Sequence, residues 1–187
     1  HMDINSIRTK LQSMLLEKRF NHSLMVCETA KELARMYGAD EKKAEIAGLL
    51  HDCAKNFSKG EMFSLCEKYA IKLDEVTKKQ VGLIHAFLGA EVAKDLFGID
   101  DDEIYDAIFY HTVGKPDMSL LTKIIYIADA IEPLRNYDGV EHLRELAHSD
   151  LDKALVYQID ITIKSVLKKG SLLHLNTVDT RNYYLSR

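Results

Sequence analysis

The scarcity of helix-breaking residues is the feature that most constrains how this chain can fold. Pro116 and Pro133 are the only prolines among 187 residues, and only nine glycines accompany them. Between these breaks, apolar residues recur at the three- and four-residue spacing of an amphipathic helix, and no stretch shows the alternation of a half-buried strand. The sequence therefore predicts an all-α protein.

Capping signals predict where the helices begin and end. Ser58 and Glu61 form a capping box, and glycines such as Gly38 and Gly170 suit C-terminal caps. The predicted segments are 4–19, 24–37, 40–52, 58–69, 83–97, 100–111, 119–131, 140–147, 150–169 and a last turn or two at 177–185, with a short turn opening at Asp74. Without a linker or repeat, we expect residues 4–185 to form one helical bundle, preceded by a tag-like remnant within residues 1–3.

Composition excludes several classes of function. The net charge of −4 argues against a dedicated nucleic-acid partner. No apolar run reaches the roughly 18 residues of a membrane span, and no signal-peptide pattern opens the chain, so we expect no membrane partner. The three cysteines are odd in number and show no CxxC spacing. We interpret them as reduced thiols of a cytoplasmic protein.

Histidine and aspartate residues on or beside apolar helices are the candidate metal ligands. A carboxylate beside a buried apolar run, as at Asp52, costs several kcal/mol unless it is paired or coordinated. Asp129 lies within a strongly apolar helical segment, where unpaired charge is rarely tolerated. Six nitrogen and oxygen ligands on five helices suit two ions that share a carboxylate better than one zinc ion. The candidates are His22, His51, Asp52, His85, His111 and Asp129.

Each candidate also has a structural interpretation that the sequence leaves open. His22 can be a surface residue at the start of a helix, and His85 a core histidine bonded to a carbonyl. The His51-Asp52 pair can simply be a helix end that turns into solvent. His142 and His148 lie in a charge-rich stretch and are predicted at the surface.

Basic residues flank the candidate ligands. Arg19 precedes His22 by three residues, and Lys55, Lys115 and Arg135 follow other ligands by three to six. Each alone is most simply a solvated surface charge. Their repeated placement favours a site that holds a phosphate chain.

The order H…HD…D resembles the signature of the HD-domain phosphohydrolases, with His85 and His111 matching the two-metal branch. Further stretches resemble the bacterial YqeK-type HD proteins, which hydrolyse diadenosine tetraphosphate symmetrically. The resemblance covers residues 4–185, and its specific parts are ADxIEPxR and TVxxRN rather than the HD dipeptide. The similar stretches are 19–23, 51–55, 111–114, 127–135 and 177–183.

The resemblance implies a single-domain HD helical bundle and a metal-dependent hydrolase of acid anhydrides that converts diadenosine tetraphosphate, or another dinucleoside polyphosphate, to two ADP. It implies two divalent ions, iron first and manganese or cobalt as alternatives, with Asp52 bridging them and orienting the attacking water. Lys55 would assist catalysis. A homodimer is one possible assembly, and the sequence does not fix the oligomeric state. The implied substrate contacts are Arg19, His22, Lys55, His111, Thr112, Arg135 and Thr177.

Two alternatives remain at this point. One is a different HD enzyme: a nucleotidase, a cyclic-nucleotide phosphodiesterase or a di-iron oxygenase of the same fold. The other is a nucleotide-sensing module that keeps the metal site without turnover. The basic residues favour a phosphate substrate over an oxygenase substrate, and steady-state turnover separates an enzyme from a sensor.

Overall fold

The computed structural model describes residues 2–187; His1, part of the predicted tag remnant, lies outside the described residues. The described chain contains helices and no strand, which confirms the all-α prediction. None of these helices combines the length and apolar character needed to cross a bilayer. The helices are α1 (Ile4–Met14), α2 (Glu17–Tyr37), α3 (Glu41–Leu50), α4 (Lys59–Lys68), α5 (Glu75–Lys79), α6 (Ile84–Phe97), α7 (Asp102–Phe109), α8 (Leu120–Ile131), α9 (Val140–Ala147), α10 (Leu151–Lys169) and α11 (Leu175–Leu185), with a 3₁₀ turn (Val81–Leu83) before α6.

The prediction of one helix over residues 4–19 is wrong, because the chain breaks between α1 and α2. Leu15 and Leu16 are both extended, with ψ of 147° and 150°. The Leu16 N–H donates to the Asn56 side-chain oxygen at 2.8 Å, and Leu15 is buried in the core. A tertiary hydrogen bond and the burial of Leu15 thus outweigh local helix propensity.

The last helix is longer than predicted. It begins at Leu175 rather than Thr177 because His174 caps it: the Asn176 N–H donates to His174 Nδ1 at 3.1 Å. The opposite ring nitrogen of His174 lies 2.8 Å from the Asp74 carboxylate, so the start of α11 is held against the start of α5.

Helices α2, α3 and α8 form the centre of the bundle, with α2 packed against both of the others. Gly48 allows α2 and α3 to approach closely. A Cβ added at Gly48 would lie 3.0 Å from Cys27 Cα and 3.1 Å from the Val26 carbonyl oxygen. This close approach brings the His22 and His51 rings to a centroid separation of 5.2 Å.

The cysteines are free and buried, in agreement with the prediction of reduced thiols. Burial, with a smaller contribution from nearby Glu45, raises the pKa of Cys27 to about 12. Burial also raises the pKa of Cys53 and Cys66. None of the three is therefore a reactive thiolate near neutral pH.

Candidate metal centre

The six predicted ligands come from five helices, and their side chains meet at one place. Five of them are buried, and 22% of the Asp129 side chain is exposed where it faces a cavity. The structure therefore brings together every residue of the predicted set, while their role as metal ligands stays a prediction. In chain order they lie in the second turn of α2 (His22), directly after α3 (His51 and Asp52), in the first turn of α6 (His85), after α7 (His111) and in the last turn of α8 (Asp129).

Asp52 lies between two groups of histidines. Its Oδ1 is 3.2 Å from His85 Nε2 and 3.3 Å from His111 Nε2. Its Oδ2 is 3.2 Å from His51 Nε2 and 3.6 Å from His22 Nε2. The two oxygens of one carboxylate thus face two separate sets of nitrogen donors.

Asp129 completes the group on the Oδ2 side. Its Oδ1 lies 2.9 Å from His22 Nε2 and 3.4 Å from His51 Nε2. The ligand atoms of His22, His51 and Asp129 all lie within 4.8 Å of one another, as do those of His51, Asp52 and His111. The two groups share His51, whose one inward nitrogen can bind only one ion. A second ion would therefore depend on Asp52 Oδ1 together with His85 and His111.

Three of the histidines are oriented by their own helical turns. Each Nδ1 lies 2.7 Å from the backbone carbonyl oxygen three residues earlier, at Gly48 for His51, Gly82 for His85 and Ile108 for His111. An Nδ1–H that donates to a carbonyl leaves the Nε2 lone pair free for a cation. These three lone pairs point into the centre.

His22 is oriented by a carboxylate instead. Its Nδ1 lies 2.5 Å from Glu132 Oε2, and only 1% of the Glu132 side chain is exposed. The other Glu132 oxygen accepts from the Leu134 N–H. A buried carboxylate behind a histidine fixes the ring and raises its basicity toward a metal. The sequence interpretation assigned Glu132 no role, although an acid three residues after Asp129, at the end of an apolar helix, was a usable signal.

The chemistry of the donor set fits a bound cation. His51 Nε2 is buried without a hydrogen-bond partner, although two carboxylate oxygens lie within 3.4 Å of it. The Nε2 atoms of His85 and His111 are 3.2 Å apart, so two inward lone pairs face each other. A cation between these atoms would bind the unpaired His51 nitrogen and would separate the facing lone pairs of His85 and His111. Imidazole and carboxylate ligands without a thiolate suit first-row divalent metals.

The site stabilises ionised carboxylates. Burial raises the pKa of Asp52, but without a metal ion the charge of protonated His51 and the N–H groups of His111 and His85 outweigh burial and hold this pKa well below its usual value. The pKa of Asp129 is lowered in the same way, because the protonated His22 and His51 rings overcome burial. Both residues therefore bring full negative charge to the centre.

The predicted basic residues do not all reach the centre. Arg19 Nη1 lies 3.0 Å from Asp52 Oδ2, and Arg135 Nη2 lies 2.9 Å from Asp129 Oδ1. Lys55 is half-buried nearby, and its charge adds to burial in lowering the pKa of His85. The Lys115 ammonium instead lies over the Tyr110 ring, 5.5 Å from the centre of that ring.

A small cavity with aromatic walls is lined in part by residues close in sequence to His85 and His111, and by none of the six proposed ligands. It has a volume of about 180 Å³ and includes Phe87, Phe109, Tyr110 and His174. Its Phe87 and Phe109 rings are 4.8 Å apart, and Asn176 also lines it. The sequence interpretation missed this cavity, because its aromatic residues have the helical spacing of ordinary core positions.

The two predicted threonine contacts differ in the structure. Thr177 is buried, and its hydroxyl donates to the Val113 carbonyl at 3.3 Å, so it secures the start of α11. Thr112 lines a cavity that also contains Asp129 and Arg135. Of the two threonines, Thr112 thus lines the cavity that reaches the centre.

Comparison with known proteins gives a consistent result. The HD domain family model matches residues 19–134. Two curated relatives are named symmetrical bis(5'-nucleosyl)-tetraphosphatases. The one from Halalkalibacterium halodurans is 41% identical over 91% of both chains. The one from Bacillus subtilis is 40% identical over 94% of both chains.

A solved structure has nearly the same fold. It is a crystal structure from Clostridium acetobutylicum, described as a predicted HD superfamily hydrolase involved in NAD metabolism. Its TM-score is 0.96 and its identity 46%, and the match covers 100% of this chain and 98% of that one. The HD signature, the fold and the two curated relatives agree, and the chain belongs to the HD-domain family, in the group of the symmetrical bis(5'-nucleosyl)-tetraphosphatases.

Proposed function

We propose that this protein hydrolyses diadenosine tetraphosphate symmetrically and releases two ADP. The observation that carries the proposal is the identity of about 40% to curated symmetrical tetraphosphatases over more than 90% of both chains. The geometry of Asp52 supports it, because a carboxylate with one oxygen toward each of two donor clusters suits a two-metal phosphohydrolase.

The proposed ligands are the six converging residues, with Asp52 shared between the clusters. When bound, two divalent ions would supply positive charge for the phosphates and lower the pKa of a water at the site. The protein's own contribution is orientation: Gly48, Gly82 and Ile108 carbonyls and the Glu132 carboxylate hold the imidazole rings. A centre aligned before substrate binds needs little rearrangement during the reaction.

Basic side chains beside the centre would hold the phosphate chain. Arg19 and Arg135 each bond a proposed ligand carboxylate, which keeps their guanidinium groups at the edge of the centre. Lys55 adds a positive charge on the side of His85. Charge that develops on the phosphoryl oxygens in the transition state is stabilised by such groups.

The aromatic cavity would take one adenine. Phe87, Phe109 and Tyr110 offer ring faces and edges within a narrow space. Asp74 and Asn176 line the same cavity and can accept or donate hydrogen bonds at the edge of a base. One nucleoside there would direct its phosphates toward the metal centre.

Water is the proposed attacking group. The three cysteines are buried with raised pKa values, so a thiolate nucleophile is not part of the proposal. Attack on a β-phosphorus, in line with departing ADP, cleaves the central anhydride and needs no covalent enzyme intermediate. In ¹⁸O-labelled water, we expect one labelled oxygen per two ADP released.

Iron is the proposed metal, with manganese and cobalt as alternatives. Four imidazoles and two carboxylates without a thiolate disfavour a structural zinc site. Elemental analysis of protein purified without added metal tests this assignment. Approximately two iron atoms per chain would support it, and a single zinc atom would contradict it.

The function is tested by chromatography of the initial products from a substrate panel. Diadenosine tetraphosphate should give ADP alone, whereas asymmetric cleavage would give ATP and AMP. The panel should include cyclic nucleotides, nucleoside monophosphates and NAD, the last because the Clostridium acetobutylicum protein is described with NAD metabolism. No turnover of any dinucleoside polyphosphate, with iron or manganese loaded under reductant, would leave another HD activity or the sensing role.

The assembly and location are proposals as well: a homodimer in the cytoplasm. Exposed leucines on and after α10, such as Leu167 and Leu175, offer apolar surface for self-association. Three reduced thiols suit a reducing compartment. Light scattering of the purified protein and fractionation of the source cells test the two statements.

A further inference from the structure

A second cavity is lined in part by residues of the metal centre itself. Its volume is about 250 Å³, and its wall includes His111, Asp129 and Arg135. Helix α10, which supplies no proposed metal ligand, contributes Gln158 and Thr162 to this wall. The cavity therefore connects the centre to an element that the proposed chemistry does not use.

Two polar atoms in this wall have no partner. Thr112 Oγ1 and Gln158 Oε1 are both shielded from solvent, and neither has a hydrogen-bond partner among the described residues. Buried polar atoms are nearly always satisfied in folded proteins, and an exception needs an explanation. Because neither atom is exposed to the cavity, its side chain must turn slightly before a ligand with a hydroxyl or amine donor can satisfy it.

The cavity continues into a larger basin along α10. The basin has a volume of about 830 Å³ and shares Arg135, Tyr137, Gln158 and Thr162 with the inner cavity. Its outer wall carries three lysines and a single carboxylate, Asp138. The lysines are Lys164, Lys168 and Lys169.

This basin is electrostatically unlike the whole protein. The chain has a net charge of −4, yet Arg135 and the lysines make the passage from the centre along α10 cationic. A cationic, elongated space beside a phosphate-cleaving centre selects an anionic and extended occupant. Taken together, the two volumes slightly exceed the upper end of the range of about 300–1,000 Å³ that holds small-molecule ligands.

We propose that this passage is the binding site for the second nucleotide of the substrate, with Arg135 holding its phosphate beside the centre and its nucleoside lying farther out along α10, against Gln158. The proposal rests on the proposed function and deepens it. A symmetrical substrate is then bound unsymmetrically: one nucleoside lies in the aromatic cavity and the other along α10. The passage explains how the enzyme distinguishes a dinucleoside from a mononucleoside polyphosphate.

The test compares two substrates with equal numbers of phosphates. Diadenosine tetraphosphate has a second nucleoside, and adenosine 5'-tetraphosphate lacks it. Gln158→Leu removes an unpaired buried amide and retains the volume of the side chain, so it should fold normally. It should lower kcat/KM for diadenosine tetraphosphate roughly tenfold and leave that for adenosine 5'-tetraphosphate within about twofold.

Direct binding gives a second readout. Titration of the metal-loaded enzyme with β,β'-methylene diadenosine tetraphosphate should show roughly tenfold weaker binding to Gln158→Leu. The Lys164→Ala/Lys168→Ala double variant, whose exposed changes do not threaten folding, should weaken binding by a similar factor. The matched control is Lys94→Ala/Lys153→Ala, which removes two exposed lysines outside both cavities.

Failure of the proposed function and failure of the proposed second nucleotide site would give different experimental results. If the wild-type enzyme does not cleave diadenosine tetraphosphate, the proposed function fails, while titration with the analogue still tests the passage. If the wild type cleaves it to ADP but both cavity variants bind the analogue as the wild type does, the passage is not a nucleotide site. Equal losses for both substrates in Gln158→Leu would also overturn the assignment of Gln158 to the second nucleoside.

Discussion

Glu132 accepts a hydrogen bond from His22 across 110 positions of sequence, with 2.5 Å between Oε2 and Nδ1. His22 is the proposed ligand whose ring depends on a side chain from another helix end, whereas His51, His85 and His111 rely on carbonyls of their own turns. The support of the centre is therefore uneven, and substitutions should expose the difference.

Glu132→Gln should reduce metal affinity about 10- to 100-fold, because an amide orients the His22 ring without raising its basicity. Competition with a metal chelator measures the change. Glu141→Gln, at an exposed acid of α9, is the control and should behave as the wild type. Unchanged affinity in Glu132→Gln would mean that Glu132 serves only to hold the turn after α8.

Asp52→Ala should abolish binding of both ions, since each of its oxygens faces a different cluster. His85→Ala should spare the ion held near His22, His51 and Asp129 yet lose most activity. Elemental analysis gives the metal content of each variant. Two tightly bound ions in the Asp52→Ala protein would contradict the shared-carboxylate assignment.

Lys55→Ala and Arg135→Ala should lower kcat/KM by roughly 10- to 1,000-fold, the effect of losing a charged group that stabilises the transition state. Metal content should stay unchanged in Lys55→Ala. Arg135 also bonds the Asp129 carboxylate and carbonyl, so its variant needs the metal measurement before the kinetics are interpreted. Kinetics equal to those of an exposed-lysine control, Lys94→Ala, would make these residues ordinary surface cations.

Removal of metal should lower thermal stability. A ligand present at about 1,000 times its Kd stabilises by about 4 kcal/mol, and each kcal/mol shifts the Tm of a domain of this size by about 2–4 °C. Chelation should therefore reduce Tm by roughly 8–16 °C in a melting experiment. An unchanged Tm would argue that the folded protein binds the metal no more tightly than the unfolded chain does.

The metal-free protein should also be sensitive to acid. The pKa values of Asp52 and Asp129 are lower in the folded protein than the usual value of about 3.9 for an unfolded chain. Their contribution to stability is then complete above about pH 4 and is lost as the pH falls through the folded-state values. Asp52→Asn should flatten this acid limb in urea titrations at stepwise lower pH.

Gly48→Ala should destabilise the protein by about 1–3 kcal/mol, because the added methyl would press on the backbone of α2 at Cys27 and Val26. Gly60→Ala is the matched control, since a Cβ there meets no atom within 4 Å. The control should gain about 0.5–1 kcal/mol from better helix propensity. Urea unfolding of both variants measures the difference; a stable Gly48→Ala protein would mean that α2 and α3 can separate easily.

The predictable part of the site consists of residues whose surroundings are local. Asp52 and His51 follow an apolar run, and Asp129 lies within one, so burial and charge conflict visibly in the sequence. The role of Glu132 was not predicted because its partner, His22, is distant in sequence, and no local pattern joins them. Gln158 was not predicted for another reason: it is one polar residue on an amphipathic helix, and only the fold shows that its amide oxygen is buried and unpaired in a residue that lines the cavity at the centre.

The helix boundaries show the same difference between local and distant determinants. Caps such as Ser58 with Glu61 act within one turn, and the sequence predicts this capping box correctly. The break at Leu15 and Leu16 contains neither glycine nor proline, and it depends on Asn56, forty residues later. Where a distant side chain decides local geometry, periodicity alone predicts a continuous helix.

The different supports of the histidines set an order for assembly during folding. His51, His85 and His111 acquire their orientation as soon as their own turns form, which takes only local contacts. His22 acquires its orientation only when the end of α8 docks against α2, a step with a long loop to close. The folding chain can thus have three oriented histidines before the full set of ligands is assembled. The full set requires the native topology. The rate of metal uptake during refolding should therefore report the rate at which α8 docks against α2.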